Sequence, residues 1–205
     1  MSMSKHIVGL TPGSTMFRLA SYAGIILASC ILATPSFAEL VANGGFETGD
    51  LTGWTTLPAS SGSDFGVNGS YPHSGAKDAF FAATGYYDDS IMQTLPTVPG
   101  QSYQIDFWLA HTNPYNHADF TANWDGSTIL SLVDAGYFTY TKYSFTLPAT
   151  DTSTTLKFSG REIVSFVYLD DVSVQPVPEP STLVLLSAGL FSFLAFVWRK
   201  RKQAA

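Results

Sequence analysis

The chain has 205 residues, one cysteine and a formal net charge of −6. This length suits one ordinary domain with processing segments at its ends, and it argues against two separately folded domains. Residues 39–176 contain fifteen acidic and four basic residues, a formal charge of −11, and such a surface repels nucleic acid and attracts cations. Acidity that only keeps an exported protein soluble is the alternative explanation.

The first 38 residues have the pattern of a secretory signal peptide. Arg18 precedes an apolar run from about residue 19 to residue 33, and Ser36 and Ala38 in TPSFA are the small residues that a signal peptidase reads. We therefore predict export and cleavage after Ala38. The alternative is acylation of Cys30, because LASC resembles a bacterial lipobox, although the apolar run continues past that cysteine.

Residues 39–176 alternate short apolar runs with Gly, Pro, Asn and Asp, and they show no helical period of useful length. Strands are predicted at residues 79–83, 90–95, 102–111, 119–124, 127–132, 139–147, 154–160 and 166–175. WDGS, at residues 124–127, has the Asp-Gly signal of a tight hairpin, and ASSGSDFG, at residues 59–66, is predicted as a surface loop. This pattern favours an all-β domain, an antiparallel β-sandwich of jelly-roll type.

The strand at 102–111 contains the sharpest functional signal of this region. Its apolar face consists of Tyr103, Ile105, Phe107 and Leu109, so Gln104, Asp106 and Trp108 point the other way. An outward tryptophan beside polar groups suits a sugar, because a pyranose stacks on the ring while amides and carboxylates bond its hydroxyls. The alternative is that a loop or a crossing strand covers Trp108.

Two further stretches, HTNPYNH at residues 111–117 and TGYYDD at residues 84–89, supply more candidate residues for such a ligand site. The candidate walls are Tyr115 and Asn116 in HTNPYNH and Tyr86 and Tyr87 in TGYYDD. His111 and His117 in the first stretch lack the spacing that zinc sites favour, so they are predicted to be exposed loop residues.

An enzyme is not favoured by the motifs. The sequence contains no nucleophile elbow, nucleotide loop or zinc-protease motif. Carboxylates do occur in adjacent pairs, at residues 88–89 and 170–171, but adjacent strand residues point to opposite faces and cannot flank one glycosidic bond. A small hydrolase assembled from distant carboxylates stays the third hypothesis.

The last segment, 177–205, combines three features in a fixed order. Val177, Pro178, Glu179, Pro180 and Ser181 come first, and the prolines keep this stretch extended. Residues 181–198 form an uncharged, mostly apolar run of 18 residues, which as a helix spans about 27 Å, close to the hydrocarbon core of about 30 Å. Basic residues at 199–202 predict a transmembrane helix with a cytoplasmic C-terminus.

Taken together, this segment resembles the PEP-CTERM sorting signal of Gram-negative bacteria. The resemblance implies recognition by an exosortase, a membrane protease that removes the tail. It also implies transient anchoring in the inner membrane and delivery to the cell surface or extracellular matrix, in bacteria that make exopolysaccharide.

Three stretches of the middle region resemble galactose-binding-like jelly rolls, which include several families of carbohydrate-binding modules. They are LVANGGFETGDLTGW at residues 40–54, VPGQSYQIDFWLA at 98–110 and FVYLDDVSV at 166–174, and they look like the opening, middle and closing strands. The resemblance implies a structural calcium ion, Ca2+, held by Glu47 and by Asp170 or Asp171. The loop SGAKD, at residues 74–78, is expected to add carbonyl groups or the side chain of Asp78.

Strand alternation bears on which aspartate would hold the ion. Asp170 shares a face with Val172 and Val174, and Asp171 lies on the other. If those valines point inward, Asp170 is the buried ligand. Two solvated carboxylates at a strand end are the alternative.

Three hypotheses of function follow from these observations. The first is an exported, non-catalytic surface or matrix protein that binds extracellular polysaccharide, in particular the exopolysaccharide of its producer. The second is a structural matrix protein without a specific ligand, and the third is the small hydrolase.

Overall fold

The computed structural model describes residues 38–114, 117–178 and 182–203. Residues 1–37 of the predicted signal peptide, with Cys30, lie outside the described residues. The same holds for Tyr115 and Asn116 among the candidate ligand residues, and for Glu179, Pro180 and Ser181 of the sorting motif.

The described residues form ten strands and one helix. In chain order these are β1 (Thr55–Leu57), β2 (Phe65–Asn68), β3 (Asp78–Phe81), β4 (Asp89–Pro96), β5 (Ser102–His111), β6 (Ala118–Trp124), β7 (Ser127–Ala135), β8 (Phe138–Pro148), β9 (Ser153–Arg161), β10 (Val167–Pro176) and α1 (Thr182–Gln203). The strands build two antiparallel five-stranded sheets, sheet A in the order β1-β4-β9-β6-β7 and sheet B in the order β2-β3-β10-β5-β8. The all-β antiparallel sandwich is thus confirmed, and its architecture is consistent with the predicted jelly roll.

The core lies between the inner faces of the two sheets. The predicted apolar face of β5 points into it, with Ile105, Phe107 and Leu109 fully buried, and the rings of Phe107 and Phe158 meet edge to face at 5.0 Å. Large aromatic side chains supply much of the burial that holds such a sandwich together. His111, predicted to be an exposed loop residue, is fully buried at the end of β5, so that prediction was wrong.

All eight predicted strands are present, and two short ones were missed. β2 begins at Phe65, inside the stretch predicted as a surface loop, and it pairs with β3 along its whole length. The opening segment at residues 40–54 is a series of turns and not a strand. Asn43 and Phe46 adopt positive φ angles of 52° and 57° there, which is incompatible with extended backbone.

The predicted WDGS hairpin is confirmed. Trp124 pairs with Ser127, and Asp125 and Gly126 between them have φ angles of 50° and 77°. Two successive positive φ angles are the signature of the two-residue turn that joins twisted antiparallel strands.

A β-bulge in β10 changes which residues face the core. The register with β5 shifts between Asp170 and Ser173, and Asp171 has a φ of 49°. As a result Leu169 faces the core before the bulge and Val172 faces it afterwards. Alternation predicted that Asp170 shares a face with Val172, but the bulge places the two residues on opposite faces of sheet B. Asp170 pairs with Trp108 on the outer face of sheet B, yet it is fully buried.

The C-terminal helix was predicted to end near residue 198, and α1 instead continues to Gln203 through the basic cluster. Lys200, Arg201 and Lys202 occupy its last turn, where positive charge is favoured by the helix dipole. Within the part of the chain that the structure describes, no helix combines the length and the apolar character needed to cross a membrane.

Candidate functional site

Trp108 lies on the outer face of sheet B, and a loop covers one side of its ring. The imidazole of His73 stacks on the indole with ring centroids 3.8 Å apart and an interplanar angle of 19°. His73 is itself held by Asp171, whose Oδ2 lies 2.5 Å from Nδ1. The stacking surface that the sequence predicted for a sugar is thus occupied on that side by a side chain of the protein.

The polar neighbours of Trp108 bond one another. Gln104 donates from Nε2 to Oδ1 of Asp106 at 2.8 Å, Lys142 approaches Oδ2 of Asp106 at 2.9 Å, and Thr146 donates to Oε1 of Gln104 at 2.7 Å. Partial burial opposes ionisation of Asp106, but hydrogen bonds from Gln104, Ser144 and Lys142 outweigh it and hold the pKa of this carboxyl below its usual value. A ligand at this face would have to displace these internal contacts.

Three carboxylates, those of Glu47 and of the adjacent Asp170 and Asp171, converge on the segment 73–77, and we call this arrangement the carboxylate clip. Oε1 of Glu47 accepts the backbone N–H groups of residues 76 and 77 at 2.8 and 3.0 Å. Oδ2 of Asp170 accepts those of residues 73 and 74 at 2.8 and 3.2 Å, and Oδ1 of Asp171 accepts the Ser74 hydroxyl at 2.7 Å. Burial raises the pKa of Asp170 to about 6, although the amide donors oppose this.

Two glycines make the clip possible. A Cβ at Gly44 would lie 1.9 Å from the carbonyl oxygen of Val172, and a Cβ at Gly75 would lie 2.2 Å from Oε1 of Glu47. Both distances are far below contact, so any side chain at either position would displace the backbone or the carboxylate. Only glycine therefore fits at residue 44, where the opening segment lies against β10.

The clip as formed does not fit a calcium ion. Its carboxylates bond N–H groups, a histidine ring nitrogen and a hydroxyl, whereas calcium needs six to eight oxygen ligands. Among the described residues, no group of three or more His, Cys, Asp or Glu side chains is arranged to hold a metal.

Asp78, the fourth predicted calcium ligand, is fully buried. Its Oδ1 accepts the backbone N–H of Tyr71 at 3.4 Å, whereas its Oδ2 has no hydrogen-bond partner among the described residues. Burial raises the pKa of this carboxyl. The calcium site stays a prediction.

A second polar cluster, which sequence reasoning missed, lies on the outer face of sheet A. Arg161, at the end of β9, forms ion pairs with Asp119 of β6 and with Asp88, the latter at 3.8 Å, and we call these three residues the Arg161 cluster. Burial raises the pKa of Asp88, and the charge of Arg161 partly offsets this. The signal available in the sequence was alternation, since Asp119 and Arg161 each occupy an outward position next to a core residue.

Arg161 also fixes the loop that carries Tyr86 and Tyr87. Nη1 of Arg161 donates to the carbonyl oxygen of Tyr86 at 2.9 Å, and the two tyrosines are 93% and 61% exposed. Exposed aromatic rings thus stand beside a cluster of charged groups. The structure therefore separates the predicted ligand residues, with Tyr86 and Tyr87 at sheet A and Gln104, Asp106 and Trp108 at sheet B.

Comparison with known proteins identifies both parts of the chain. The family model of the PEP-CTERM protein-sorting motif matches residues 176–202, and that of the carbohydrate-binding domain matches residues 38–162. Because the second match covers more than half of the chain, the protein belongs to this carbohydrate-binding domain family, and it carries a PEP-CTERM sorting motif at its C-terminal end. Both resemblances drawn from the sequence are confirmed.

One curated relative is endo-1,4-beta-xylanase A of Thermoanaerobacterium saccharolyticum. The two are 30% identical over 150 residues, which is 66% of this chain and 12% of the xylanase. The chain therefore spans only a small part of the length of that enzyme.

Several solved structures share the fold. The CBM22-1 xylan-binding domain of Paenibacillus barcinonensis Xyn10C is similar with a TM-score of 0.51 and 15% identity, over 72% of this chain and 99% of that one. TmCBM61 in complex with beta-1,4-galactotriose is similar with a TM-score of 0.53 and 14% identity, over 68% of this chain and 99% of that one. The K1 adhesin domain of Lys-gingipain from Porphyromonas gingivalis is similar with a TM-score of 0.53 and 13% identity, over 70% of this chain and all of that one. At these identities the similarity shows the fold alone.

Proposed function

We propose that this protein is an exported, non-catalytic glycan-binding protein. In this proposal an exosortase-type membrane protease processes its PEP-CTERM segment, and the domain at 39–176 then binds polysaccharide at the cell surface or in the extracellular matrix. The exopolysaccharide of the producing cell is the ligand that this location favours. The family match and the sorting motif support the general statement, and the ligand is our inference.

We further propose that the binding site is the outer face of sheet A at Tyr86, Tyr87 and the Arg161 cluster. The observation that carries this is the hydrogen bond from Arg161 to the carbonyl of Tyr86, since it holds an exposed aromatic pair beside charged groups. A sugar ring stacks on an exposed aromatic face, and charged or amide groups bond its hydroxyls. At Trp108, by contrast, His73 occupies one face of the ring.

Affinity electrophoresis of the full-length chain tests both statements. The gels contain xylan, β-1,4-galactan or exopolysaccharide extracted from the producer, the first two chosen because related structures bind such glycans. We expect Tyr86→Ala combined with Tyr87→Ala to weaken binding about ten-fold or more, because two stacking surfaces are lost. Trp108→Ala is the comparison variant, and it should leave most of the affinity intact.

Two other outcomes would contradict these proposals. Loss of binding in Trp108→Ala with full binding in the tyrosine variant would move the site to sheet B. Absence of binding to all three polysaccharides would refute the glycan-binding proposal and favour the structural matrix protein. Thermal melting of every variant shows whether the fold is retained.

A further inference from the structure

Two connections that cross from one sheet to the other run side by side at the edge of the sandwich. The first, between β1 and β2, contains residues 59–64, which we call the serine loop, and the second, between β3 and β4, carries Tyr86 and Tyr87. Because β1 pairs with β4 and β2 pairs with β3, the two connections begin and end beside each other. The serine loop therefore lies next to the proposed tyrosine site.

The backbones of the two connections are in direct contact. Beyond the start of β2 the pairing with the neighbouring chain continues, since the backbone N–H of Thr84 donates to the carbonyl oxygen of Gly62 at 2.8 Å. Gly85 directly precedes Tyr86, and a Cβ at Gly85 would lie 2.7 Å from the carbonyl oxygen of Ser61. This distance is below van der Waals contact, so a side chain there would push the serine loop away.

Asp89, at the start of β4, fixes the serine loop from its other side. This residue is fully buried, and its carboxylate accepts three hydrogen bonds from the loop. Oδ1 accepts the backbone N–H of Ala59 at 2.7 Å and the hydroxyl of Ser63 at 2.6 Å, and Oδ2 accepts the backbone N–H of Asp64 at 2.9 Å. A buried carboxylate is costly unless donors surround it, so the loop stabilises Asp89 and Asp89 holds the loop.

The serine loop contains no large apolar side chain that could anchor it in the core. Ordering such a segment costs conformational entropy, which the polar contacts with Asp89 and with residues 84–85 offset. Ser60 and Ser61 are both exposed, and their hydroxyls form no hydrogen bond with the residues that the structure describes. The fold thus presents two available hydroxyl groups on an ordered loop beside the exposed tyrosines.

We propose that the serine loop is the second wall of the tyrosine site. In this proposal the hydroxyls of Ser60 and Ser61 bond those of a neutral sugar that stacks on Tyr86 or Tyr87, and Asp89 is the positioning residue that fixes them. A hydroxyl both donates and accepts, and a wall that is ordered before binding spares the ligand the entropy cost of ordering it. The inference rests on the proposed function, because it supposes that a glycan binds at the tyrosines.

Affinity electrophoresis of the full-length chain tests the wall, with each of xylan, β-1,4-galactan and the producer's exopolysaccharide that retards the unmodified chain. Ser60→Ala combined with Ser61→Ala should weaken binding about five-fold or more, because two hydrogen bonds to the sugar are lost. The matched control is Ser127→Ala combined with Ser153→Ala. These serines are also exposed, and they begin β7 and β9 at the opposite end of the sandwich, so the control should bind like the unmodified chain.

A coupling experiment separates positioning by Asp89 from a general effect on stability. Asp89→Asn should weaken binding about as much as the loss of Ser60 and Ser61, because the amide has one acceptor oxygen where the carboxylate has two. When the three changes are combined, the losses should not add, since displaced hydroxyls have no contact left to lose. Additive losses would overturn the positioning role. Ser63→Ala, which removes only one donor to Asp89, takes the place of Asp89→Asn if that variant does not fold, and it should be non-additive in the same way.

Failure of this inference and failure of the proposed function give different results. Equal affinities of the Ser60–Ser61 variant and its control, with binding lost in the double tyrosine variant, would overturn the second wall and leave the proposed function intact. Absence of binding of the unmodified chain to all three polysaccharides would overturn both. Thermal melting of each variant shows that a loss of binding is not a loss of the fold.

Discussion

Gly75 is the residue on which the carboxylate clip depends most directly. It adopts a φ of +61°, and a Cβ there would lie 2.2 Å from Oε1 of Glu47. Gly75→Ala therefore combines a left-handed backbone with a steric clash, and we expect it to lower the free energy of unfolding by about 2–4 kcal/mol. Urea denaturation of the full-length chain measures the loss.

Gly100→Ala is the matched control for this change. Gly100 also has a positive φ, +83°, but a Cβ there would meet no atom within 4 Å, so only the backbone cost of about 1 kcal/mol applies. The difference between the two variants isolates the contact with Glu47. Equal losses would show that the carboxylate does not lie against Gly75.

Asp170 makes the stability of the domain depend on pH. Its pKa is raised from 3.8 to about 6 in the folded state, so between these values the folded chain binds a proton that the unfolded chain does not. Stability should therefore rise as the pH falls from 7 to 4, by about 2 kcal/mol from this group. Asp78, whose pKa is also raised, acts in the same direction.

Asp170→Asn isolates the contribution of this carboxyl. The variant should be less stable overall, since it loses one of the hydrogen bonds to the backbone, but its free energy of unfolding should change less between pH 7 and pH 4. Urea titrations at several pH values compare the two slopes. Identical slopes would mean that Asp170 titrates normally in the folded protein.

At the scale of elements, the segment 73–77 is where the calcium prediction is decided. An ion bound only to the folded state must raise stability, so the prediction requires that EDTA lower the melting temperature of the full-length chain and that added CaCl₂ restore it. Glu47→Gln, which removes one charged ligand but keeps the shape of the side chain, should abolish the response. A melting temperature that is indifferent to EDTA would leave the clip as a purely hydrogen-bonded device.

The strands show how far local pattern reaches. Alternation located eight strands and the inner face of β5 because it depends on neighbours two residues apart. It missed β2, where Gly66 and short length weaken the signal, and it failed at the Asp170–Asp171 bulge, where one extra residue reverses the phase of β10. The position of a bulge depends on the register with the partner strand, so it cannot be predicted from the sequence of one strand alone.

At the candidate site, the contacts that the sequence could not predict join residues far apart in the chain. The outward orientation of Trp108 was predictable, but its stacking partner His73 comes from a loop elsewhere in the chain. The bond from Arg161 to Tyr86 joins residues separated by 75 positions. Contacts of this kind follow from topology, so a single sequence named Tyr86 and Tyr87 as candidates without showing what they stand beside.

For the whole molecule, the sorting proposal predicts a defined mature protein. Intact mass of the protein recovered from the cell surface or medium should correspond to a chain that begins at Glu39 and lacks the residues after about Pro180. A variant with Pro178, Glu179 and Pro180 all changed to Ala should keep its C-terminal segment. An added acyl mass at Cys30 would instead establish the lipoprotein alternative, and an unprocessed C-terminus in the unmodified protein would contradict exosortase processing.

β10 spans the sandwich from one end to the other, and this gives the domain a direction. At Pro176 it pairs with Tyr103 and leads into the sorting segment, and at Val167 it pairs with His111 and with Phe81. Leu40, close to the predicted mature N-terminus, also bonds the strand near its exit, at Val174. At about 3.3 Å per residue, ten residues of β10 separate the two ends by about 30 Å. In the sorting proposal the sandwich is therefore a spacer. It holds Arg161, which ends β9 and bonds the carbonyl of Tyr86, at the end farthest from the point where the chain would be tethered.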